Sequence, residues 1–207
     1  MSKTITRLFD RYEDAQSAVS ELERMGVPHS DISIVANNVD GTHDHHRPHG
    51  VDADAAGHDA RKGATAGGAV GAGAGLLAGL GIMAIPGLGP VVAAGWLVST
   101  LVGAVGGAVA GGATGGLVGS LRHAGVSEAD AHVYSEGVRR GGTLVSAKVD
   151  DAAYPQAEAA LQRLNATDAA TRGSAYRATG WSAHDPAAAP YTAEQVAEER
   201  ARSPPVV

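Results

Sequence analysis

Cysteine is absent from this chain. That removes disulfides, thiolate catalysis and zinc–thiolate sites, and it is compatible with a reducing compartment. Large aromatic side chains are scarce: one Phe, two Trp and five Tyr in 207 residues. The 44% hydrophobic content therefore rests mostly on Ala and Val, which does not provide the volume for a large, tightly interlocked enzyme core. A basic excess is also missing. The net charge is −6, so a general nucleic-acid binder with a basic face is excluded. The first residues, Met1-Ser2-Lys3-Thr4-Ile5, lack the apolar core of a signal peptide, and export by that route is not expected.

Motifs that carry chemistry are missing as well. Neither a G-x-x-x-x-G-K-[ST] loop nor a G-x-G-x-x-G between strand and helix with an acidic partner occurs. There is no G-x-S-x-G elbow and no H-E-x-x-H helix. Gly71-Ala72-Gly73-Ala74-Gly75 has no polar neighbours and does not form a phosphate loop. No catalytic residue, cofactor or small-molecule substrate is thus indicated. Asp150-Asp151 reads as a helix-capping site before Tyr154-Pro155, and Arg139-Arg140 as a charge pair at a helix C-terminus.

What is present falls into five pieces. Residues 1–38 read as strand, helix, strand. Thr4-Ile5-Thr6-Arg7-Leu8-Phe9 is followed by Ala15, Ala18, Val19, Leu22 and Met25 at helical spacing. Gly26 stops the helix, and Ile32, Ile34 and Ala36 then share one strand face. Residues 39–62 hold five His and five Asp and read as a loop. His43, His45, His46 and His49, with Asp44 and Asp52 nearby, are candidate ligands for Zn, Ni or Cu ions, set against the simpler reading of a solvated cluster. Residues 122–172 return to soluble patterning. Ser127-Glu128-Ala129-Asp130 opens a helix as a capping box, and Gly141-Gly142 ends it. A strand follows, with Val145, Ala147 and Val149 in phase and Leu144 out of phase. Ala157, Ala160, Leu161 and Leu164 mark a further helix, and a short strand is expected near residues 166–172. Residues 173–207, rich in Ala, Pro, Ser and Thr, are expected to be a disordered tail, with Thr192-Ala193-Glu194-Gln195 able to cap a short polar helix. These halves predict an α+β fold, a ferredoxin-like sandwich of two βαβ units, split by what lies between them.

That insertion, residues 63–121, contains no Asp, Glu, Lys, Arg or His and holds 19 of the 29 glycines. Gly63, Gly67, Gly71, Gly75 and Gly79 recur at intervals of four, as do Gly95, Ser99, Gly103, Gly107, Gly111, Gly115 and Gly119. Such a ridge lets helix backbones touch, so two zippered helical arms are expected, joined at the turn Pro86, Gly87, Gly89, Pro90. Each Gly in a water-exposed helix costs about 1 kcal/mol relative to Ala, so the arms need a lipid environment or a sheath of identical hairpins. Residues 63–85 would be about 34 Å long as a helix, against a hydrocarbon core of about 30 Å. With Arg61, Lys62, Arg122 and His123 flanking the stretch, the expectation is an inner-membrane hairpin with a cytoplasmic headpiece and Trp96 at the far interface. The alternative is a soluble, cytoplasmic homo-oligomer that buries the hairpin. A membrane and further copies of the chain are the partners this implies.

Thr6-Arg7-Leu8-Phe9-Asp10, the strand Asp31-Ile32-Ser33-Ile34-Val35-Ala36-Asn37, the turn Gly87-Leu88-Gly89-Pro90, and Tyr134-Ser135-Glu136-Gly137-Val138-Arg139-Arg140-Gly141-Gly142 before Leu144-Val145-Ser146 resemble the bacterial general stress protein (heat-induced, YflT-like) family over about residues 3–165. The resemblance implies a non-enzymatic, stress-associated role and supplies no catalytic residues.

Overall fold

A computed structural model describes residues 2–42, 81–107 and 116–202. Strand β1 (Ser2–Phe9) runs into helix α1 (Tyr12–Arg24), and a 3-10 turn (His29–Asp31) leads to β2 (Ile32–Asn37). Strands β3 (Gly81–Ile85) and β4 (Gly89–Gly95) form a hairpin, followed by α2 (Trp96–Gly107), α3 (Gly116–His123) and α4 (Glu128–Arg139). Strand β5 (Thr143–Asp150), α5 (Tyr154–Arg163), α6 (Ala169–Ala178) and α7 (Ala193–Arg202) complete the described chain.

The five strands form one antiparallel sheet in the order β1-β5-β2-β4-β3. Strands β1 and β2 point the same way, with β5 slotted antiparallel between them: Ile5 lies opposite Ala147, and Ala147 opposite Ile32. Every residue of β2 is buried, because both sheet faces are covered. On one face Ile5, Phe9, Ile34, Val145 and Val149 meet Ala18, Val19 and Leu22 of α1 and Ala157 and Leu161 of α5. On the other, Leu8, Val35, Val91 and Leu144 meet Leu97, Leu101, Leu117, Leu121, Val133 and Val138. The alternation read from the sequence is borne out: Ile32, Ile34 and Ala36 share a face with Val145, Ala147 and Val149, while Leu144 faces the other way. Ser127 accepts a hydrogen bond from the Asp130 amide at the start of α4.

The α+β class stands, and three local expectations are corrected. The helical arms expected across residues 63–121 give way, at 81–95, to two strands. Ile82, Ile85, Val91 and Val92 are β-branched, and the Ile85 carbonyl accepts from the Leu88 amide at 3.0 Å. Pro86 follows Ile85, and Gly87 has φ +78°, the combination of a type II turn. A strand pairs its backbone with neighbours and avoids the helical glycine penalty altogether. Trp96, expected at a membrane interface, instead donates its indole N–H to the Asp31 carbonyl at 3.1 Å, with the Lys148 ammonium 4.4 Å from its ring centroid. Among the described residues no helix is long and apolar enough to cross a membrane.

The second correction concerns the far half. In place of a strand near 166–172, Thr167 makes a single bridge to Leu8. Asp168 then caps α6 by accepting from the Thr171 amide at 2.7 Å. The second half thus supplies one full strand, and the β3–β4 hairpin extends the sheet. Asp151 does not cap α5, whose N-cap is Ala153 with no side-chain bond; it pairs with Lys3 at 3.4 Å. Third, residues 173–202 are not a disordered tail: α6 buries Tyr176 and α7 buries Val196.

Gly95 joins β4 to α2 with φ +91°, and a Cβ there would collide with the Ile32 carbonyl oxygen. We expect Gly95→Ala to cost about 3 kcal/mol, combining about 1–2 for left-handed backbone with about 1–3 for overpacking. Gly26→Ala, at φ +87° in open space, should cost only the first part, about 1 kcal/mol. Urea denaturation of both variants checks the difference.

Candidate functional site

The densest polar cluster described lies along α4. His132, Ser135, Glu136 and Arg139 fall at i, i+3, i+4 and i+7, one helical face. The helix runs to Arg139 with Arg140 as its C-cap, and Gly141 (φ +100°) then turns the chain into β5.

Glu136 is 1% exposed. An ionised carboxylate at such a depth must be paired and fully hydrogen-bonded. Its Oε1 accepts from Arg140 Nε at 2.8 Å and Arg139 Nη1 at 3.2 Å. Its Oε2 accepts from His184 Nδ1 at 3.4 Å. Burial pushes the carboxyl pKa up, but the His184 and Arg140 hydrogen bonds and the charges of both arginines outweigh it and hold the value below the ordinary one. Three of the roughly four acceptor sites of this carboxylate are engaged by protein donors, and the cluster ties separate parts of the chain together.

What it holds is the C-terminal segment. Arg140 lies 4.3 Å from the Tyr176 ring centroid and pairs with Glu199 at 3.3 Å. Arg139 lies 4.6 Å from the Tyr191 centroid and donates to the Ala189 carbonyl at 2.9 Å. Arg200 bonds Asp40 at 2.7 Å and the Gly141 carbonyl at 3.1 Å. Val196 fills the notch over Gly141, where any Cβ would collide with it.

The turn residues Pro86, Gly87, Gly89 and Pro90 join the same surface. A Cβ on Gly87 would lie 2.8 Å from Pro186 Cα, and one on Gly89 2.9 Å from Pro190 Cβ. The glycines let the C-terminal prolines lie directly on the turn. Ile85, Pro86, Leu117, His132, His184 and Pro186 enclose a cavity of about 10 Å³, room for roughly one water. His132 Nδ1 is buried there without a protein partner.

The other sequence candidates scatter. Gly63, Gly67, Gly71, Gly75, Gly79, Gly111 and Gly115 lie outside the described residues, as do His43, His45, His46 and His49. Gly103 and Gly107 lie on α2 and Gly119 on α3. Ser99 is exposed and donates to the Trp96 carbonyl. Gly95 is a strand-to-helix joint and not part of a helical ridge. Among the described residues no group of three or more His, Asp or Glu could hold a metal ion. Sequence reasoning missed His184, Tyr191, Glu199, Arg200 and Asp40. One signal pointed to them: in a chain so poor in aromatics, Tyr176, Trp181 and Tyr191 cluster in a segment that otherwise reads as Ala/Pro-rich linker.

The lowered Glu136 pKa has a consequence for acid stability. Its contribution is fully present above the ordinary glutamate value of 4.5 and is lost as pH falls through the lower folded value. We expect Glu136→Gln to cost about 3 kcal/mol at neutral pH by leaving two half-buried arginines underpaired. Its urea-measured stability should then fall less steeply below pH 4.5 than that of the unmodified chain. Faster tryptic cleavage at Arg177 would report local release of the segment.

No curated protein matches the chain, and no solved structure does. The family model of the heat induced stress protein YflT domain matches residues 4–86, a stretch that includes β1, α1, β2 and β3 and stops short of the Tyr134–Gly142 motif. Over residues 4–86 the chain is thus similar to the heat induced stress protein YflT domain.

Proposed function

We propose that the protein serves the general stress response without catalysing a reaction, by associating with copies of itself through its uncharged glycine-rich stretch. The family match supports the stress-associated role. The mode of action rests on one observation, the contrast between the two edges of the sheet.

Strand β1 is guarded. It carries Lys3 and Arg7, Arg7 is tied to Glu158 on α5, and Leu8 is bridged to Thr167. Charges and a covering segment are what keep an edge from pairing with another chain. Strand β3, Gly81-Ile82-Met83-Ala84-Ile85, has no charge and no proline. Ile82, 36% exposed, is the one large apolar side chain exposed among the described residues. A two-fold axis at Met83 would pair Ile82 with Ala84 of the second copy, an antiparallel contact that is self-complementary. The membrane-spanning hairpin expected from the sequence is not carried forward, because residues 81–95 are strands.

Sedimentation velocity of the full chain tests this reading. A species larger than one chain at micromolar concentration is expected, reduced to the monomer by Ile82→Lys without loss of fold by circular dichroism. A wild-type chain that stays monomeric at about 100 μM, where a weak dimer would be populated, sinks the reading. Retention in carbonate-washed membranes would return the stretch to a lipid role.

A further inference from the structure

We propose that the surface occupied by residues 184–202 also accepts that segment from a second copy of the chain, so that two copies exchange their C-terminal straps. This contact is separate from the β3 edge and does not depend on it.

The surface is assembled from three parts of the fold, each matched to a different feature of the strap. The β3–β4 turn receives Pro186 and Pro190. The polar face of α4 receives His184, Tyr191 and Glu199. The Gly141 notch receives Val196, with Asp40 beside it for Arg200. Apolar fit, charge order and spacing together define a partner, and the segment that satisfies them is the chain's own.

The strap is anchored at His184 and held by fewer buried contacts along α7. Helix α7 buries one residue, Val196. Its ion pairs, Arg140–Glu199 and Arg200–Asp40, are partly exposed, and such pairs contribute little each. The link to the body is short and locally bonded. Thr179, Gly180, Ser182 and Ala183 are exposed, and the backbone bonds of 179–181 run back to Tyr176 and Arg177. Gly180 has φ +87° and open space around it. A change of direction there leaves the contacts of residues 184–202 with the surface intact; its local cost is the Trp181 amide bond to Tyr176 and the edge contact of the two rings at 5.6 Å.

Exchange therefore conserves every strap contact and differs from the closed monomer only in which copy supplies the segment, the condition under which swapping is inexpensive. A short link gives the chain's own strap an effective concentration in the millimolar range. Closed monomers therefore prevail when dilute, and exchanged dimers accumulate when straps are released and reseated at high concentration.

The absence of cysteine makes a direct test available. Asp40→Cys and Arg200→Cys replace two side chains 2.7 Å apart and are joined with a short bis-maleimide. The double variant, dilute, should give an internally linked monomer. A mixture of the two single variants, taken through urea and refolded concentrated, should give a covalent heterodimer. Its dimer-to-monomer ratio should rise about tenfold per tenfold in concentration, and it should persist in an Ile82→Lys background. Linked monomer from the double variant with no heterodimer at any concentration overturns the proposal, as does failure of the double variant to link. Loss of the heterodimer only in the Ile82→Lys background would assign the contact to the β3 edge instead. Unsubstituted chains supply a second reading. Native mass spectrometry of a mixture with ¹⁵N-labelled copies, refolded concentrated, should show mixed dimers that survive dilution for hours. Mixed dimers that vanish within minutes of dilution count against strap exchange.

Discussion

A carboxylate that is 1% exposed imposes a requirement on everything near it. Glu136 lies on the face of α4 turned away from the sheet core, and it cannot stay ionised there without donors. Two of them, Arg139 and Arg140, come from the next turn of the same helix, but they bring two positive charges that themselves need partners. Glu199, Tyr176, Tyr191 and the Ala189 carbonyl supply these, and His184 completes the carboxylate. The demand for neutrality at one position thus helps decide where residues 184–202 lie. Apolar burial could not do so, since α7 contributes a single buried valine.

The layout of the sheet was legible for a simple reason. Strands β2 and β5 and helix α1 carry their information in local periodicity, which survives without knowledge of the fold. Ile32, Ile34 and Ala36, and Val145, Ala147 and Val149, alternate because each strand has two faces to fill. Gly103, Gly107 and Gly119 do lie on helices, but at 81–95 the glycine-rich composition misled, because spacing of four is a helical signal only where the chain is helical. At 81–95 the same composition serves a hairpin: Gly87 is needed for a positive φ in the turn, and Gly95 for a close approach to β2. The β-branched run Ile82, Ile85, Val91, Val92 was the competing cue, and it prevailed because β4 finds β2 as a partner.

The C-terminal cluster was not legible, and no local pattern could have made it so. His184 meets Glu136 across 48 residues and Arg200 meets Asp40 across 160. Read in its own stretch of sequence, each partner is an ordinary polar residue. The composition of the segment, rich in Ala and Pro, gave a disorder signal that holds only for a chain with nothing to bind. Here the body supplies a charged, glycine-notched surface, and a segment with little apolar area orders against it.

The two proposed modes of association place different physical demands on the chain, and the sequence meets each in a different region. Pairing at a sheet edge requires a run without charge or proline, and β3 provides it within residues that have no ionisable side chain from 63 to 121. Exchange of a strap requires the reverse: charges in a fixed order to specify the seat, prolines to stiffen the segment between its contacts, and a glycine link that can redirect it. Residues 180–202 contain all three. Strap exchange by itself closes as a two-fold dimer, and an edge contact by itself also closes. A copy that uses both surfaces at once, with different neighbours, would propagate and not close. The net charge of −6 opposes such growth at low ionic strength, and screening by salt weakens that opposition. The extent of the proposed assembly would then follow ionic conditions even though neither contact is itself a long-range charge interaction.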